Sequence, residues 1–282
     1  MSMIPKEIEK HYTAVQESER LSSGVGELER VRTEAILAAH LPPPPAVIYD
    51  VGGAAGVYAF PLAEKGYTVH LIDPVDLHLE QARARAASSG VELASINPGN
   101  ALLLSAPSLT ADAVLLFGPL YHLVDESERL EAIRESFRIL KPGGIMFAAA
   151  ISRFASLMDG AAEGFFNDPD FRQIVSADLT SGQHRNPTGN LAYFTTSYFH
   201  RPEELEKEVA AAGYQDVRVL AVEGPVWSAA RFNRVWHDEN QRKTLMEFLA
   251  TVEQEPSIRG ASAHLLVVAR RPKLEAIPYG NP

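Results

Sequence analysis

The chain has 282 residues, 46% of them hydrophobic and 22% charged, with a formal net charge of -10 and no cysteine. That length and apolar content suit one large domain, or one domain with an insertion, built on a real core. The acidic balance argues against nucleic acid and anionic membranes as partners, because the chain repels phosphate and gains nothing from counterion release, and the missing cysteines exclude disulfides, thiolate nucleophiles and thiolate zinc sites.

Met1 to Lys10 mixes charged and apolar residues without a signal-peptide core, and no apolar run is long enough to span a bilayer, so the expected location is the cytoplasm. Ile4, Ile8, Tyr12 and Val15 recur at helical spacing, which predicts an amphipathic helix to about Leu21. Ser22, Ser23, Gly24 and Gly26 punctuate it, and a second helix follows from about Glu27 to His40. Pro42 to Pro45 force an extended entry into a sheet.

From there strands and helices alternate. Ala46–Val51 reads as a buried strand, Val57–Lys65 as a helix closed by Gly66, Tyr67–Ile72 as a strand and Leu77–Ser88 as a helix. Val91–Ile96 is a weaker strand and Ala113–Phe117 a strong one. Ser127–Leu140 is a helix with Leu130, Ile133, Phe137 and Leu140 on one stripe, Lys141–Gly144 a turn, and Ile145–Ala150 a further buried strand. This order implies an α/β, Rossmann-like, mostly parallel sheet with helices on both faces.

The pattern breaks at Ile151. Residues 151–200 read as a loop-rich insertion holding Phe154, Phe165, Phe166, Phe171, Tyr193, Phe194, Tyr198 and Phe199, expected to sit over the strand ends. Pro202, Glu203 and Glu204 open another helix that Gly213 ends, and Val217–Val222 and His264–Ala269 read as the last strands. The expected division is an N-terminal helical lid (1–45), a cofactor-binding core (46–150), an acceptor-site insertion (151–200), and a C-terminal part of the same sheet with further helices (201–282).

The first strand ends in Asp50-Val51-Gly52-Gly53-Ala54-Ala55-Gly56 and a helix follows at once. Such a turn lets a ligand approach the backbone, and the free N–H groups of the helix start suit an anion. The second strand ends at Asp73, where a carboxylate can accept both hydroxyls of a ribose. A dinucleotide fingerprint counted from Gly52 needs glycine at 54 and 57, which are Ala54 and Val57.

The turn instead resembles the acidic-x-Gly-x-Gly-x-Gly form of the class I S-adenosylmethionine-dependent methyltransferases, with Ala54 in place of the middle glycine. Gly99-Asn100-Ala101, Asp112 to Phe117, Gly118-Pro119-Leu120-Tyr121-His122-Leu123 and Lys141-Pro142-Gly143-Gly144 extend the likeness to bacterial small-molecule members over about residues 46–150. The resemblance implies seven strands with the last antiparallel, S-adenosylmethionine as cofactor with S-adenosylhomocysteine as product, and methyl transfer to a small molecule through oxygen, nitrogen or carbon by in-line displacement. It says little about the acceptor. A nicotinamide-dependent oxidoreductase and a non-catalytic cofactor-binding scaffold are the rival readings.

On this resemblance Gly52 and Gly53 meet the methionine end of the cofactor, Asp73 the ribose, Pro74 and Ala101 the adenine, and Phe117 and Gly118 pass their backbone beside the methionine moiety. Asn100 stands where the family has Asp; its amide oxygen can accept from the adenine amino group, or it simply forms a turn. Arg20, in Glu17-Ser18-Glu19-Arg20-Leu21, is placed to pair with the cofactor carboxylate or to remain a solvated helix charge.

His122, just past the fourth strand, is the candidate general base, with fixing the cofactor or capping the next helix as its alternatives, and Tyr12 closes the lid or merely packs. His200, Tyr198, Tyr193 and His11 are further wall or base candidates, and His264, in the last strand, reads as structural. No metal-ligand cluster is evident in the sequence. The acceptor is expected to be apolar or aromatic, under a lid formed by the first helix and the aromatic insertion.

Overall fold

The computed structural model describes residues 4–14 and 20–273, with Ala14 by its backbone only. Val15, and Glu17 to Glu19 of the element around Arg20, lie outside the described residues. Among the described residues the chain opens with the helices α1 (Lys6–Ala14) and α2 (Gly24–His40). Gly24 and Gly26 fall inside the start of α2 rather than before it: Gly24 has φ +58, and a Cβ on Gly26 would lie 1.9 Å from the Arg20 carbonyl. Glycine here lets the start of α2 approach the Arg20 carbonyl closely.

The alternating unit comprises β1 (Val47–Val51), α3 (Ala59–Glu64), β2 (Thr68–Asp73), α4 (Asp76–Ser89), β3 (Ser95–Pro98), β4 (Ala111–Leu116), α5 (Pro119–His122), α6 (Glu126–Ile139) and β5 (Leu140–Ser152). The expected strand at 91–96 is displaced towards its end. Val91 and Leu93 are spent packing under the sheet, and pairing with β2 begins only at Ser95. The expected turn at 141–144 is absorbed into β5 as an irregularity. Gly143 has φ +80, and its N–H donates to Arg271 O while Arg271 N–H donates to Gly144 O.

After β5 come α7 (Ala155–Glu163), α8 (Pro169–Ser181), β6 (Gln183–His184), β7 (Ser197–His200), α9 (Pro202–Ala211), β8 (Gln215–Ala221), α10 (Phe232–Trp236), α11 (Glu239–Val252), α12 (Pro256–Arg259) and β9 (His264–Arg270). Residues 151–200 are therefore partly helical, not loop-rich. Asp168 caps α8 by accepting from Asp170 N–H, Pro169 stands at its first position, and Gly182 closes it in the left-handed conformation. Phe171, Ile174 and Val175 form the buried stripe of α8 and pack with Tyr193 and Phe165 as a small core of their own.

Among the described residues the sheet has nine strands. β3-β2-β1-β4-β5 run parallel, β9 lies antiparallel against β5, and β8 pairs with β9. Seven of the strands thus give the expected order with one antiparallel member. The insertion adds the other two: β7 joins β5 in parallel at Ile151 and Ser152, past the end of β4, and carries β6. One face of the sheet buries residues of α2, α3 and α4 (Ile36, Leu37, Phe60, Leu62, Ala82). The other buries α5, α6 and α9 (Leu120, Ile133, Ile139, Leu205, Val209).

Arg129 ties the second layer to the insertion. It is 2% exposed, donates to Glu208 at 2.6–3.1 Å, and lies 3.7 Å from the Tyr198 ring centre. It also donates to the carbonyls of Leu123 and Val124, which fixes the chain just after His122. Removing one partner from such a buried pair costs about 3–5 kcal/mol. No helix among the described residues is long and apolar enough to cross a membrane.

Candidate active site

The parallel strands all deliver their carboxyl ends to one edge, where open α/β sheets bind ligands. A cavity of about 300 Å³ lies there, walled by the segments that follow β1, β2, β3 and β4 and covered by α1 through Ile8 and Tyr12. Of the residues singled out in the sequence, Tyr12, Gly52, Gly53, Asp73, Pro74, Asn100, Ala101, Phe117, Gly118 and His122 line it.

The glycine turn is a close-fitting cradle. Gly52 has φ +73, and a Cβ there would lie 2.5 Å from Pro119 Cδ; a Cβ on Gly53 would lie 2.5 Å from an Asp50 carboxylate oxygen. Ala54 takes φ +48, in the left-handed region that favours glycine. That conformation costs a non-glycine residue about 1–2 kcal/mol. The Ala54 N–H donates to Asp73 at 2.9 Å.

Asp73 is 3% exposed and also accepts from Val75 N–H and His78 Nδ1, at 2.9 and 3.0 Å. Its carboxylate is held rigidly at the end of β2, with part of its acceptor capacity already used. Asn100 forms the turn: its side-chain oxygen accepts from Leu102 N–H and Leu103 N–H at 3.0 and 3.3 Å. Those two donors fix the amide orientation and leave its NH₂ group for a ligand.

Sequence reasoning assigned no role to Asp50 beyond its place in the turn. It is fully buried, neither carboxylate oxygen has a hydrogen-bond partner, and it lines the cavity. Burial pushes its carboxyl up to about 7, and the neighbouring Asp73 adds to the rise. An unpartnered buried carboxylate beside a glycine cradle suits a cationic ligand group.

Past β4 the structure brings Tyr12 and His122 together across 110 residues of sequence. His122 Nδ1 lies 3.2 Å from the Thr196 carbonyl, which can only accept, so Nδ1 carries the hydrogen. In the neutral ring Nε2 is then the acceptor, and the Tyr12 hydroxyl donates to it at 2.7 Å. Phe194 stacks on the His122 ring at 6.0 Å and meets the His11 ring edge-on at 5.2 Å. Its backbone lies at φ +64, ψ −166, a region nearly restricted to glycine. Asn186 Nδ2 donates to the Phe194 carbonyl at 2.7 Å and helps hold it there.

Other candidates go elsewhere. The Arg20 guanidinium forks onto Glu29 at 2.6 and 3.0 Å and does not line the cavity, whereas Glu29 does. His200 is fully buried on Glu208, and Tyr198 covers Arg129. Tyr193 donates to Asp168 within the small core of the insertion. His11 packs between Tyr12 and Phe194. His264, expected to be structural, lies on the cavity wall, where it meets Glu29 and Glu223 with one polar atom of each within 4.8 Å of the others. The strand period gave no sign that the first residue of β9 opens into the cavity.

Strand order, glycine turn and the acidic ends of β1 and β2 define a class I methyltransferase domain, and the sequence of residues 48–144 matches the methyltransferase domain family. The chain is similar to the ubiquinone biosynthesis O-methyltransferase of Methylocella silvestris, 37% identical over 165 residues. That match covers 58% of this chain and 56% of the relative, so the chain spans little more than half the relative's length. Among solved structures, an S-adenosylmethionine-dependent methyltransferase of Methanosarcina mazei shares the fold at TM-score 0.57 and 19% identity, over 84% of this chain and 97% of that one. A Thermotoga maritima methyltransferase also gives 0.57, at 17% identity over 94% and 99%.

Proposed function

We propose that this chain transfers a methyl group from S-adenosylmethionine to an oxygen of a small, apolar or aromatic acceptor. The observation that carries the reading is the Tyr12–His122–Thr196 relay, set in the same cavity as the Asp50–Gly56 cradle. The cofactor fits the residues present: a backbone cradle, an unpartnered acid at Asp50, a fixed carboxylate at Asp73 and a free amide NH₂ at Asn100. When bound, it supplies an electrophilic methyl group and a neutral thioether leaving group.

The chain's own part is orientation and proton handling. Gly52, Gly53 and Gly118 allow close backbone approach, and the Tyr58, Phe117 and Tyr121 rings offer flat apolar walls. Good placement of the reacting groups can remove about 7–11 kcal/mol of barrier. The acceptor hydroxyl gives its proton to the Tyr12 oxygen as Tyr12 passes its own to His122 Nε2, and the Thr196 carbonyl holds the ring in the tautomer that can receive it. Helix α1, which carries Tyr12, excludes water above. The relative's name supports oxygen as the methylated atom, and the net charge of -10 supports a small-molecule acceptor over nucleic acid.

The test is a comparison of variants on a panel of phenols and catechols. His122→Ala and Tyr12→Phe should each lower kcat about a hundredfold, within the usual range for a general base, with S-adenosylhomocysteine affinity unchanged within about twofold. Parallel loss of turnover and affinity in His122→Ala would make His122 a cofactor ligand, and full activity in Tyr12→Phe would remove the relay.

A further inference from the structure

The cavity wall on the α2 side carries a charged cluster that the transfer chemistry above does not use. Glu223 is fully buried, and one of its oxygens accepts from Ser262 Oγ at 2.7 Å and from the His264 backbone N–H at 3.0 Å. Its other oxygen lies 2.5 Å from His264 Nδ1. Glu29 approaches the same Nδ1 at 3.6 Å, but its charge is already matched by the Arg20 fork. Ser262 and the backbone are neutral donors, so His264 is the cation left to balance Glu223. A buried carboxylate without a counter-charge is costly, so the ring is held as imidazolium.

Both ring nitrogens then carry hydrogen. Nδ1–H donates to Glu223, with the Glu29 carboxylate 3.6 Å away, and among the described residues Nε2 has no hydrogen-bond partner. The side chain is 23% exposed, and it is the cavity it faces. Thr33, Val222 and Leu266 line the same cavity, so the N–H donor shares it with apolar wall.

We propose that His264 is an anion-recognising group of this cavity, which takes a ligand carboxylate through its Nε2–H. The inference rests on the reading that the cavity binds donor and acceptor, and it deepens that reading. The carboxylate belongs either to the methionyl tail of the donor or to an acid group on the acceptor. A divalent cation on the same three residues is the competing occupant. It would have to displace the proton from Nδ1 and compete with Arg20 for Glu29, while one Glu223 oxygen already holds two donors. The glutamates also keep the ring charged in neutral solution: burial opposes the charge and Arg20 weakens it, but Glu29 and Glu223 outweigh both and raise its pKa to about 9.

The experiment is calorimetry on the full chain at neutral pH with two probe pairs. S-adenosylhomocysteine is compared with 5′-methylthioadenosine, which lacks the amino-acid tail, and 4-hydroxybenzoate with 4-hydroxybenzamide. The variants are His264→Gln and the double variant Glu223→Gln, His264→Gln, in which the buried charge leaves together with its partner. The expected result is at least tenfold weaker binding of one carboxylate probe with its carboxylate-free counterpart unchanged. Loss on S-adenosylhomocysteine assigns the site to the donor tail, and loss on 4-hydroxybenzoate assigns it to the acceptor. No change on either pair, or equal loss on both members of a pair, overturns the proposal. So does uptake of one Mn²⁺ by the wild type that both variants abolish. Failure of S-adenosylhomocysteine to bind the wild type defeats the broader reading instead, and the benzoate pair still tests His264. An ¹⁵N spectrum of labelled histidine is independent of every ligand: His264 should be protonated on both nitrogens at pH 7.5, and a neutral ring contradicts the account.

Discussion

At the residue scale the site contains strained backbone and buried polar groups whose positions cost stability. Ala54 and Phe194 hold positive φ, and Asp50 is buried without a hydrogen-bond partner. Asp50 gives a measurable consequence. Its carboxyl titrates near 7 in the folded chain, far above the ordinary value of 3.8. Between those values the folded state keeps a proton that the unfolded state has lost, so stability falls as pH rises from about 4 to about 7 and then levels. The slope approaches about 1.4 kcal/mol per pH unit inside that window. Urea unfolding of wild type and Asp50→Asn at pH 5 and pH 8 isolates the effect from other titrating groups. The variant should gain relative stability at pH 8, and an unchanged difference between the two pH values would mean that Asp50 is solvated.

At the scale of elements, what was legible depended on how local the signal was. β1, β2, β4, α6 and β9 are near-continuous apolar runs or single stripes, and their bounds agree with the expectation within about two residues. Residues 151–200 were misread because their aromatics stood out more than their caps. Asp168-Pro169 and Gly182 were plain start and stop signals for α8, and Phe171, Ile174 and Val175 fit its period. Phe165, Phe171 and Tyr193 fill the small core of the insertion instead of the cavity, and Phe194 is the one that stacks on His122. The insertion matters to the site through backbone, since the Thr196 carbonyl just before β7 orients His122. Gly182, between α8 and β6, has φ +75, and a Cβ there would lie 2.5 Å from the Phe199 carbonyl. Gly182→Ala should therefore destabilise the chain by about 1–3 kcal/mol, seen as a lower thermal midpoint. An unchanged midpoint would mean that the α8–β6 junction is not packed on β7.

At the scale of the whole molecule, the part of the cavity wall that follows β1 to β4 was readable and the rest was not. Gly52, Gly53, Asp73, Asn100 and Phe117 sit at the carboxyl ends of consecutive parallel strands, so motif order maps directly onto the cavity wall. Glu29, Glu223 and His264 come from α2, the end of β8 and the start of β9, and only the antiparallel return of β9 against β5 and β8 brings them together. Tyr12 meets His122 through the placement of α1, which no local pattern encodes. The central claim, a methyltransferase-type cofactor site on this sheet, is tested most directly by titrating the purified chain with S-adenosylhomocysteine and, separately, with NAD⁺ and NADP⁺. The account predicts one site for S-adenosylhomocysteine with a dissociation constant of about 1 μM or tighter, near −8 kcal/mol, and binding of either dinucleotide at least a hundredfold weaker. Tighter binding of a dinucleotide, or no heat with S-adenosylhomocysteine, would contradict it.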